Sequence, residues 1–184
     1  MTCLPRIGVL PMGTVPKMVP KVIAAHVSAF FGLPAEVLIS RPAPSFAFDP
    51  GRLQYDVGPI LKAMEAQPFA GYAKIIAVVD VDLFVPVFTY VLGEARIGGR
   101  CALVSLFRLA ENTHPGQEGQ SRFFERCAKV ALHELGHLFN LTHCSNSPCV
   151  MSLSGSPEDL DSVGWRLCRY CSLFLQESVV RMAL

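Results

Sequence analysis

The chain has 184 residues, of which 51% are hydrophobic, and this length and composition suit one folded domain with a sizeable core. The formal net charge is +1, and the pI is near 7.6. Proteins that bind nucleic acid usually carry a basic excess that this sequence lacks, so we expect no nucleic-acid partner.

The hydropathy pattern and the cysteine count both bear on the cellular compartment. The apolar stretch over residues 75–91 is interrupted by Asp80, Asp82 and Pro86, so the sequence predicts no transmembrane helix and no membrane partner. The apolar run within residues 1–10 is too short for a secretory signal. Disulfide pairing would leave one of the seven cysteines unpaired, which does not suit a secreted protein. We therefore predict a cytoplasmic protein.

The first half of the chain predicts two strands and two helices. Residues 6–10 form a short apolar run typical of a buried strand, and residues 16–31 repeat apolar side chains at helical spacing. Residues 36–40 predict the second strand. After a proline-rich loop, residues 55–67 mix apolar and polar side chains as an amphipathic helix does, and Pro68 closes that helix.

The chain from residue 74 onward predicts three more strands and a long helix. Residues 74–79, 87–92 and 101–106 are rich in β-branched and apolar side chains. Ser121 is a candidate cap for an amphipathic helix over residues 121–139. Strands that alternate with helices predict an α/β fold, in which helices cover a sheet of about five strands.

The most specific pattern lies near the end of that long helix. His133 and His137 are four residues apart, so both imidazoles lie on one helical face and can bind a single zinc ion. Glu134 is rotated by about 100° from His133, which places its carboxylate outside the ligand set and beside a water on the metal. Glu134 is therefore the candidate general base.

His143 is the candidate third ligand. For this side chain to return to the metal, the helix has to end near Asn140, and the chain has to turn there through a left-handed residue. Glycine is usual at such a turn, and asparagine is the other residue that best tolerates positive φ. Three imidazoles leave one zinc position open for water, whose pKa the metal lowers to about 7. The alternative is a chance match among ordinary histidines, and the spacing of His143 argues against it.

Four of the seven cysteines predict a second metal site. They form one pair at Cys144 and Cys149 and another at Cys168 and Cys171, and four thiolates make a closed tetrahedral zinc site. Such a site has no open position, so its role is structural, and it would hold residues 152–184 against the region after the active-site helix. Two disulfides, four unrelated thiols or an iron–sulfur cluster are the alternatives.

Together these motifs resemble a family of zinc peptidases. The three histidines followed by Met151 are similar to the metzincin metallopeptidases. With the four cysteines of the second predicted site added, the pattern resembles the archaemetzincin family, over roughly residues 133–171. The segment before the long helix, residues 93–106, also resembles the family's strand region.

The resemblance implies a metzincin-like catalytic domain over residues 1–184. Its parts are a sheet and helix part, residues 1–143, and a zinc-stapled C-terminal part, residues 144–184. Glu134 becomes the general base and Met151 the methionine-turn residue beneath a catalytic zinc. The implied ligands of this Zn²⁺ are His133, His137 and His143, and those of the structural Zn²⁺ are Cys144, Cys149, Cys168 and Cys171.

The implied activity is hydrolysis of a peptide or unfolded polypeptide substrate. Zinc would polarise the scissile carbonyl while Glu134 moves a proton from water to the leaving amine. An extended substrate can pair with an edge strand, and residues 97–103 are our candidate for that strand. The alternative is that Gly98 and Gly99 only form a hairpin turn.

Two other functions fit the same motifs. The chain could be a proteolytically weak or inactive zinc-binding protein with a regulatory or peptide-binding role. It could also be a zinc-stapled interaction module. That function explains the cysteines but does not explain the histidines and Glu134. Glu134 favours hydrolysis, because a purely structural metal site has no use for a base at that position.

Overall fold

The computed structural model of the chain describes residues 5–113 and 115–183. Its helices and strands alternate along most of the sequence. In chain order they are β1 (Arg6–Met12), α1 (Met18–Phe31), β2 (Ala35–Val37), a 3-10 helix (Ser45–Ala47), β3 (Phe48–Asp49), β4 (Gln54–Asp56), α2 (Val57–Glu65), β5 (Tyr72–Val79), β6 (Leu83–Phe84), β7 (Gly93–Ala95), β8 (Cys101–Ser105), α3 (Gln117–Leu138), α4 (Pro157–Ser162) and α5 (Arg169–Ala183).

The main sheet has five strands in the order β2-β1-β5-β8-β7. The first four strands run parallel, and β7 pairs antiparallel with β8 at one edge. A second small sheet has the order β3-β4-β6. The predicted α/β class, with a mixed sheet of about five strands, is confirmed.

The strands alternate their side chains between two apolar cores, as the pleat of a strand requires. In β5, Ile76 and Val78 enter the core that faces α1 and α3, whereas Ile75, Ala77 and Val79 enter the core that faces α2. Five consecutive residues of this strand are therefore buried, which is typical of a central parallel strand covered on both faces. The long helix α3 is thereby fixed against one face of the sheet.

The predicted strand over residues 87–92 is wrong. Most of these residues form a turn and a loop, in which the backbone N–H of Phe88 donates to the carbonyl of Val85 at 3.0 Å, and Val91 makes only an isolated antiparallel bridge with Leu83. The carbonyl of Phe88 accepts from Arg52 at 2.9 Å, and that of Thr89 accepts from Gln54 at 2.9 Å. Side chains from another part of the chain thus take the bonds that a strand would need.

The edge of the sheet also differs from the prediction over residues 97–103. Residues 101–103 belong to β8, which is paired on both sides, and the free edge is β7 at Gly93–Ala95. Gly98 has a φ of 70°, and the N–H of Gly99 donates to the Arg96 carbonyl at 2.9 Å. The alternative reading of these glycines, a hairpin turn, is therefore confirmed.

The long helix begins earlier than predicted. Gly116, with a φ of 107°, precedes its first residue Gln117, so Ser121 lies within the helix and does not cap it. None of the helices formed by the described residues is both long and apolar enough to cross a bilayer.

Candidate active site

The helix α3 ends at a turn that redirects the chain toward its own histidines. The backbone N–H of Leu141 donates to the Gly136 carbonyl at 3.0 Å, and that of Asn140 donates to the His137 carbonyl at 3.0 Å. These two bonds form a Schellman motif, in which the residue after the cap is left-handed. Asn140 has a φ of 67°, which confirms the left-handed conformation predicted for it.

Substitution of Asn140 tests how far this turn supports the third histidine. We expect Asn140→Ala to lower the free energy of unfolding by about 1 kcal/mol, because a Cβ without a local polar bond is strained at positive φ. Zinc binding by the histidines should weaken with it, whereas Asn140→Gly should match the wild type in both respects. Urea denaturation and zinc competition with a chelator measure the two effects; an alanine variant equal to the glycine variant would contradict the assignment.

The turn brings the three predicted histidine ligands together. A set of ring nitrogens, one from each of His133, His137 and His143, lies within 4.8 Å of one another. The Nε2 atoms of His133 and His137 are 3.1 Å apart. Two nitrogens bound to one tetrahedral zinc at about 2.0–2.1 Å would be about 3.3 Å apart, so the observed spacing suits a shared metal.

The hydrogen bonds of the histidines favour the tautomer that binds metal. The Nδ1 atoms of His133 and His137 lie 2.9 Å from the Val150 carbonyl and 2.8 Å from the Leu141 carbonyl. Because a carbonyl only accepts, each Nδ1 carries the proton, and each neutral Nε2 presents a lone pair toward the other. Facing lone pairs need a cation between them, so the described residues fit a bound zinc ion.

Burial keeps these imidazoles neutral. Loss of solvent, together with the neighbouring histidines, lowers the pKa of His133 to about 4. Burial also lowers the pKa of His137. Zinc therefore meets unprotonated nitrogens at neutral pH and does not have to displace a proton from either ring.

Glu134 follows His133 on the helix and is 7% exposed. Burial raises the pKa of its carboxyl well above the usual range, and the nearby Glu94 carboxylate adds to the rise. Among the described residues, no hydrogen bond is made to this carboxylate. A carboxyl group that is buried, without a partner and beside the imidazoles is suited to accept and release a proton.

Gly93 of the edge strand makes room for Glu134. A Cβ atom placed on Gly93 would lie 2.7 Å from Cγ and 2.9 Å from Oε1 of Glu134. The edge strand can therefore approach the glutamate this closely only because residue 93 is glycine. The sequence shows the glycine, but its contact with Glu134 depends on the fold and cannot be read from neighbouring residues.

A cleft of about 660 Å³ joins the histidines, Glu134 and the edge strand. It is lined by residues 88–95 and Ile97, by residues 142–143, 153–155 and Leu160, and by four residues of α3: Val130, His133, Glu134 and His137. The ionisable groups that line the cleft among the described residues are the three histidines, Glu134, Glu94 and Tyr90.

Met151 is fully buried and packs against α3 at Gly136. Its thioether sulfur fills the space where Gly136, between the two helical histidines, has no side chain. A Cβ on Gly136 would collide with that sulfur, so the pair interlocks the helix and the methionine segment. The role of Met151 as the methionine-turn residue stays a prediction.

The four predicted cysteine ligands also come together. Their sulfur atoms lie within 4.8 Å of one another, and those of Cys144 and Cys168 are 3.7 Å apart. Tetrahedral zinc at about 2.3 Å from each sulfur would set the sulfurs about 3.8 Å apart, whereas a disulfide needs about 2.05 Å. All four thiols are free, so the structure has no disulfide among them. The group fits a closed zinc site.

Backbone amides support the thiolates. The N–H of Cys168 donates to the sulfur of Cys149 at 3.3 Å, and that of Asn146 donates to the sulfur of Cys144 at 3.4 Å. A backbone hydrogen bond from Cys171 is the largest cause that lowers the pKa of the Cys168 thiol to about 7. These donors favour the deprotonated form that binds metal, and they act against the burial that raises the pKa of Cys149 and Cys171.

Backbone bonds connect the cysteine cluster to the histidine cluster. The N–H of Cys144 donates to the Met151 carbonyl at 2.8 Å, and that of Val150 donates to the Arg166 carbonyl at 3.0 Å. The carbonyl of Val150 is the one that holds His133. The segment that orients a predicted catalytic ligand is thus held by the two halves of the cysteine cluster.

Known proteins resemble the chain over nearly its whole length. A model of peptidase family M54 matches residues 21–177, a range that contains both clusters. Archaemetzincin from Methanocaldococcus jannaschii is 32% identical over 96% of this chain and 96% of that protein, and archaemetzincin from Pyrococcus furiosus is 33% identical over 94% and 93%. The crystal structure of archaemetzincin from Methanopyrus kandleri aligns with a TM-score of 0.84 at 31% identity, covering 97% of both chains.

Proposed function

The chain belongs to the archaemetzincins, peptidase family M54, and from this premise we propose that it cleaves peptide bonds in its cleft with Glu134 as general base. Membership makes it a zinc metallopeptidase. The observation that carries the proposed role of Glu134 is its buried carboxylate, which lines the same cleft as the three imidazoles. A purely structural metal site does not need a proton acceptor beside its ligands.

We assign the proposed ligands from the two clusters. Three imidazoles make the catalytic site, because a three-ligand set leaves a position open to the cleft, and four thiolates make the closed structural site. The proposed ligands are His133, His137 and His143 for one zinc, and Cys144, Cys149, Cys168 and Cys171 for the other.

The proposed chemistry divides between the metal and the helix. When bound, zinc supplies Lewis acidity for a carbonyl oxygen and makes a water acidic enough to ionise near neutral pH. Glu134 accepts the proton of the attacking water on its carboxylate and delivers it to the nitrogen of the leaving amine. Burial and the nearby Glu94 raise the pKa of this carboxyl, which makes its carboxylate form a stronger base.

The edge strand β7 is the proposed docking place of the substrate backbone. One side of β7 pairs with β8, and its residues Gly93–Ala95 line the cleft. An extended peptide can hydrogen-bond to the other side and pass the histidines and Glu134 in a fixed register. Phe88 and Leu153, which are 60% and 72% exposed, both line the cleft and favour apolar substrate side chains.

We propose that one domain carries both sites and that the protein works in the cytoplasm. Residues 144–184 support a single domain, because their backbone bonds reach the segment that orients His133. The four thiols of the cysteine cluster are free, which suits a reducing compartment. In such a compartment clustered cysteines usually bind zinc and do not form disulfides.

Peptide cleavage with metal removal tests the proposed function. We expect zinc-loaded protein to cut a mixture of extended peptides, with cuts favoured beside apolar residues, and to stop after a chelator removes the histidine-bound zinc. Zinc added back should restore the cuts, because the ligands are preset by the fold. Mass spectrometry identifies the products. Intact peptides at full zinc occupancy would favour the regulatory, peptide-binding alternative.

A further inference from the structure

Helix α3 buries two cations on the turns before its histidines. Arg126 is 1% exposed and Lys129 is 2% exposed. A buried positive charge costs several kcal/mol unless nearby groups compensate it, so such residues are retained only where their contacts are extensive. Neither side chain touches the histidines or the cysteines through any bond among the described residues.

Arg126 connects the helix to two other segments. Its Nε and Nη2 donate to the two carboxylate oxygens of Asp161 at 2.9 Å and 2.8 Å, a bidentate pair. Its Nη1 donates to the carbonyls of Leu109 at 3.0 Å and Glu111 at 2.6 Å. The guanidinium therefore fixes Asp161 relative to α3 in both distance and orientation.

Lys129, one turn later, holds the neighbouring residue of the same segment. Its Nζ donates to the Leu160 carbonyl at 2.8 Å and pairs with Glu125 at 2.6 Å. The ammonium also lies 5.4 Å from the ring centroid of Trp165, within cation–π range. Its only bond to the α4 segment is the one to Leu160 among those that the described residues form.

Both cations thus converge on α4, and α4 is part of the cleft. Leu160 lines the cleft beside Val130, and residues 153–155, which lead into α4, line it next to the histidines. The helix is only six residues long, although Ser156 and Asp159 form a capping box at its start. So short a helix has few bonds of its own, and contacts from outside set its position.

We propose that Arg126 and Lys129 are positioning residues for peptide hydrolysis, which set the wall of the substrate cleft that is lined by residues 153–155 and Leu160. This inference rests on the proposed function, since a wall of the cleft matters only if a peptide binds there. The two cations act on substrate binding and not on the metal. The histidine ligands follow them on α3 and keep their own backbone partners.

The test compares Lys129→Met with Glu125→Gln. Methionine fills the volume of the lysine stem but cannot donate to the Leu160 carbonyl, whereas Glu125→Gln removes the ion pair and leaves that bond intact. We expect Lys129→Met to raise KM about tenfold, with kcat and two zincs per chain retained, because a displaced wall weakens binding of ground state and transition state alike. Glu125→Gln should lower the stability, because Lys129 loses its counter-charge, but it should keep the wild-type KM because the bond to Leu160 remains.

A second pair of variants guards against simple misfolding. Asp161→Asn weakens the bidentate pair, and Arg122→Gln removes only the longer 3.7 Å contact to the same carboxylate. Asp161→Asn should raise KM in the same sense, and Arg122→Gln should not. The inference is overturned if both Lys129→Met and Asp161→Asn keep the wild-type KM, or if they lower thermal stability and zinc content in step with kcat.

Peptide binding separates this inference from the proposed function. The dissociation constant of a fluorescent peptide is measured in a Glu134→Gln background, with and without Lys129→Met. Binding that weakens about tenfold supports the wall assignment even if the wild type cleaves nothing, in which case the hydrolytic function alone has failed. Equal dissociation constants with and without Lys129→Met refute the assignment, whatever the cleavage result.

Discussion

Glu134→Gln is expected to lower kcat for peptide hydrolysis by about 10²- to 10⁴-fold, while the zinc content and the fold stay unchanged. Glutamine keeps the size of the side chain beside Gly93 but cannot accept the proton of the attacking water. Since a proton transfer that occurs only in the transition state is removed, kcat should fall and KM should change little. Steady-state kinetics on a cleaved peptide, with zinc analysis of the same samples, measure the effect.

The control for this substitution lies on the same helix. Glu118→Gln makes the same chemical change in the first turn of α3, at an exposed carboxylate that does not line the cleft, and should retain wild-type kcat. If Glu134→Gln keeps kcat within about threefold of the wild type, Glu134 is not the general base, and the mechanism has to be abandoned.

Removal of one structural ligand should have the second largest effect. Cys171→Ser is expected to lower the free energy of unfolding by several kcal/mol, since structural zinc contributes about 10–16 kcal/mol of apparent binding energy in small zinc domains. The backbone around Val150 should loosen as well, because the cysteine cluster holds the segment that orients His133. Zinc affinity at the histidines is therefore expected to fall about tenfold, as it does when groups supporting a metal ligand are lost.

Urea denaturation with and without a chelator measures this loss. Cys127→Ala is the matched control, because Cys127 is a buried thiol outside the cluster and its replacement removes only packing, about 1 kcal/mol. A wild type whose denaturation midpoint does not shift with chelator would contradict a structural zinc. So would a Cys171→Ser variant no less stable than Cys127→Ala.

Local patterns predicted the parts of the molecule that depend on local geometry. The histidines at helical spacing and the left-handed Asn140 follow from the dihedral angles of a few consecutive residues, and the structure places both as expected. The buried strand over residues 74–79 was equally visible, because a parallel strand covered on both faces is apolar along its length.

Features that depend on distant partners were not predictable from the same patterns. Residues 87–92 have the composition of a strand, yet the side chains of Arg52 and Gln54, more than thirty positions away, take their carbonyls. The partners of Arg126 and Lys129 lie on α4, 31 to 35 residues later, so the burial of these two cations is apparent only from the folded chain.

The two clusters are joined by a short path through Val150, and this bears on how the peptidase is assembled. The Val150 N–H is held by the Arg166 carbonyl, and the Val150 carbonyl holds Nδ1 of His133. We expect folding of the cysteine part to precede full metal affinity at the histidines. The zinc content of variants in either cluster therefore reports on the whole site.

Zinc content per chain, measured for the wild type, His137→Ala and Cys149→Ser, tests the central claim most directly. We predict two zinc ions in the wild type and one in His137→Ala, whose remaining zinc survives a chelator that strips the open histidine site. Cys149→Ser should lose the structural ion and bind zinc more weakly at the histidines. A wild type with one zinc, retained in His137→Ala and lost only in Cys149→Ser, would contradict the account.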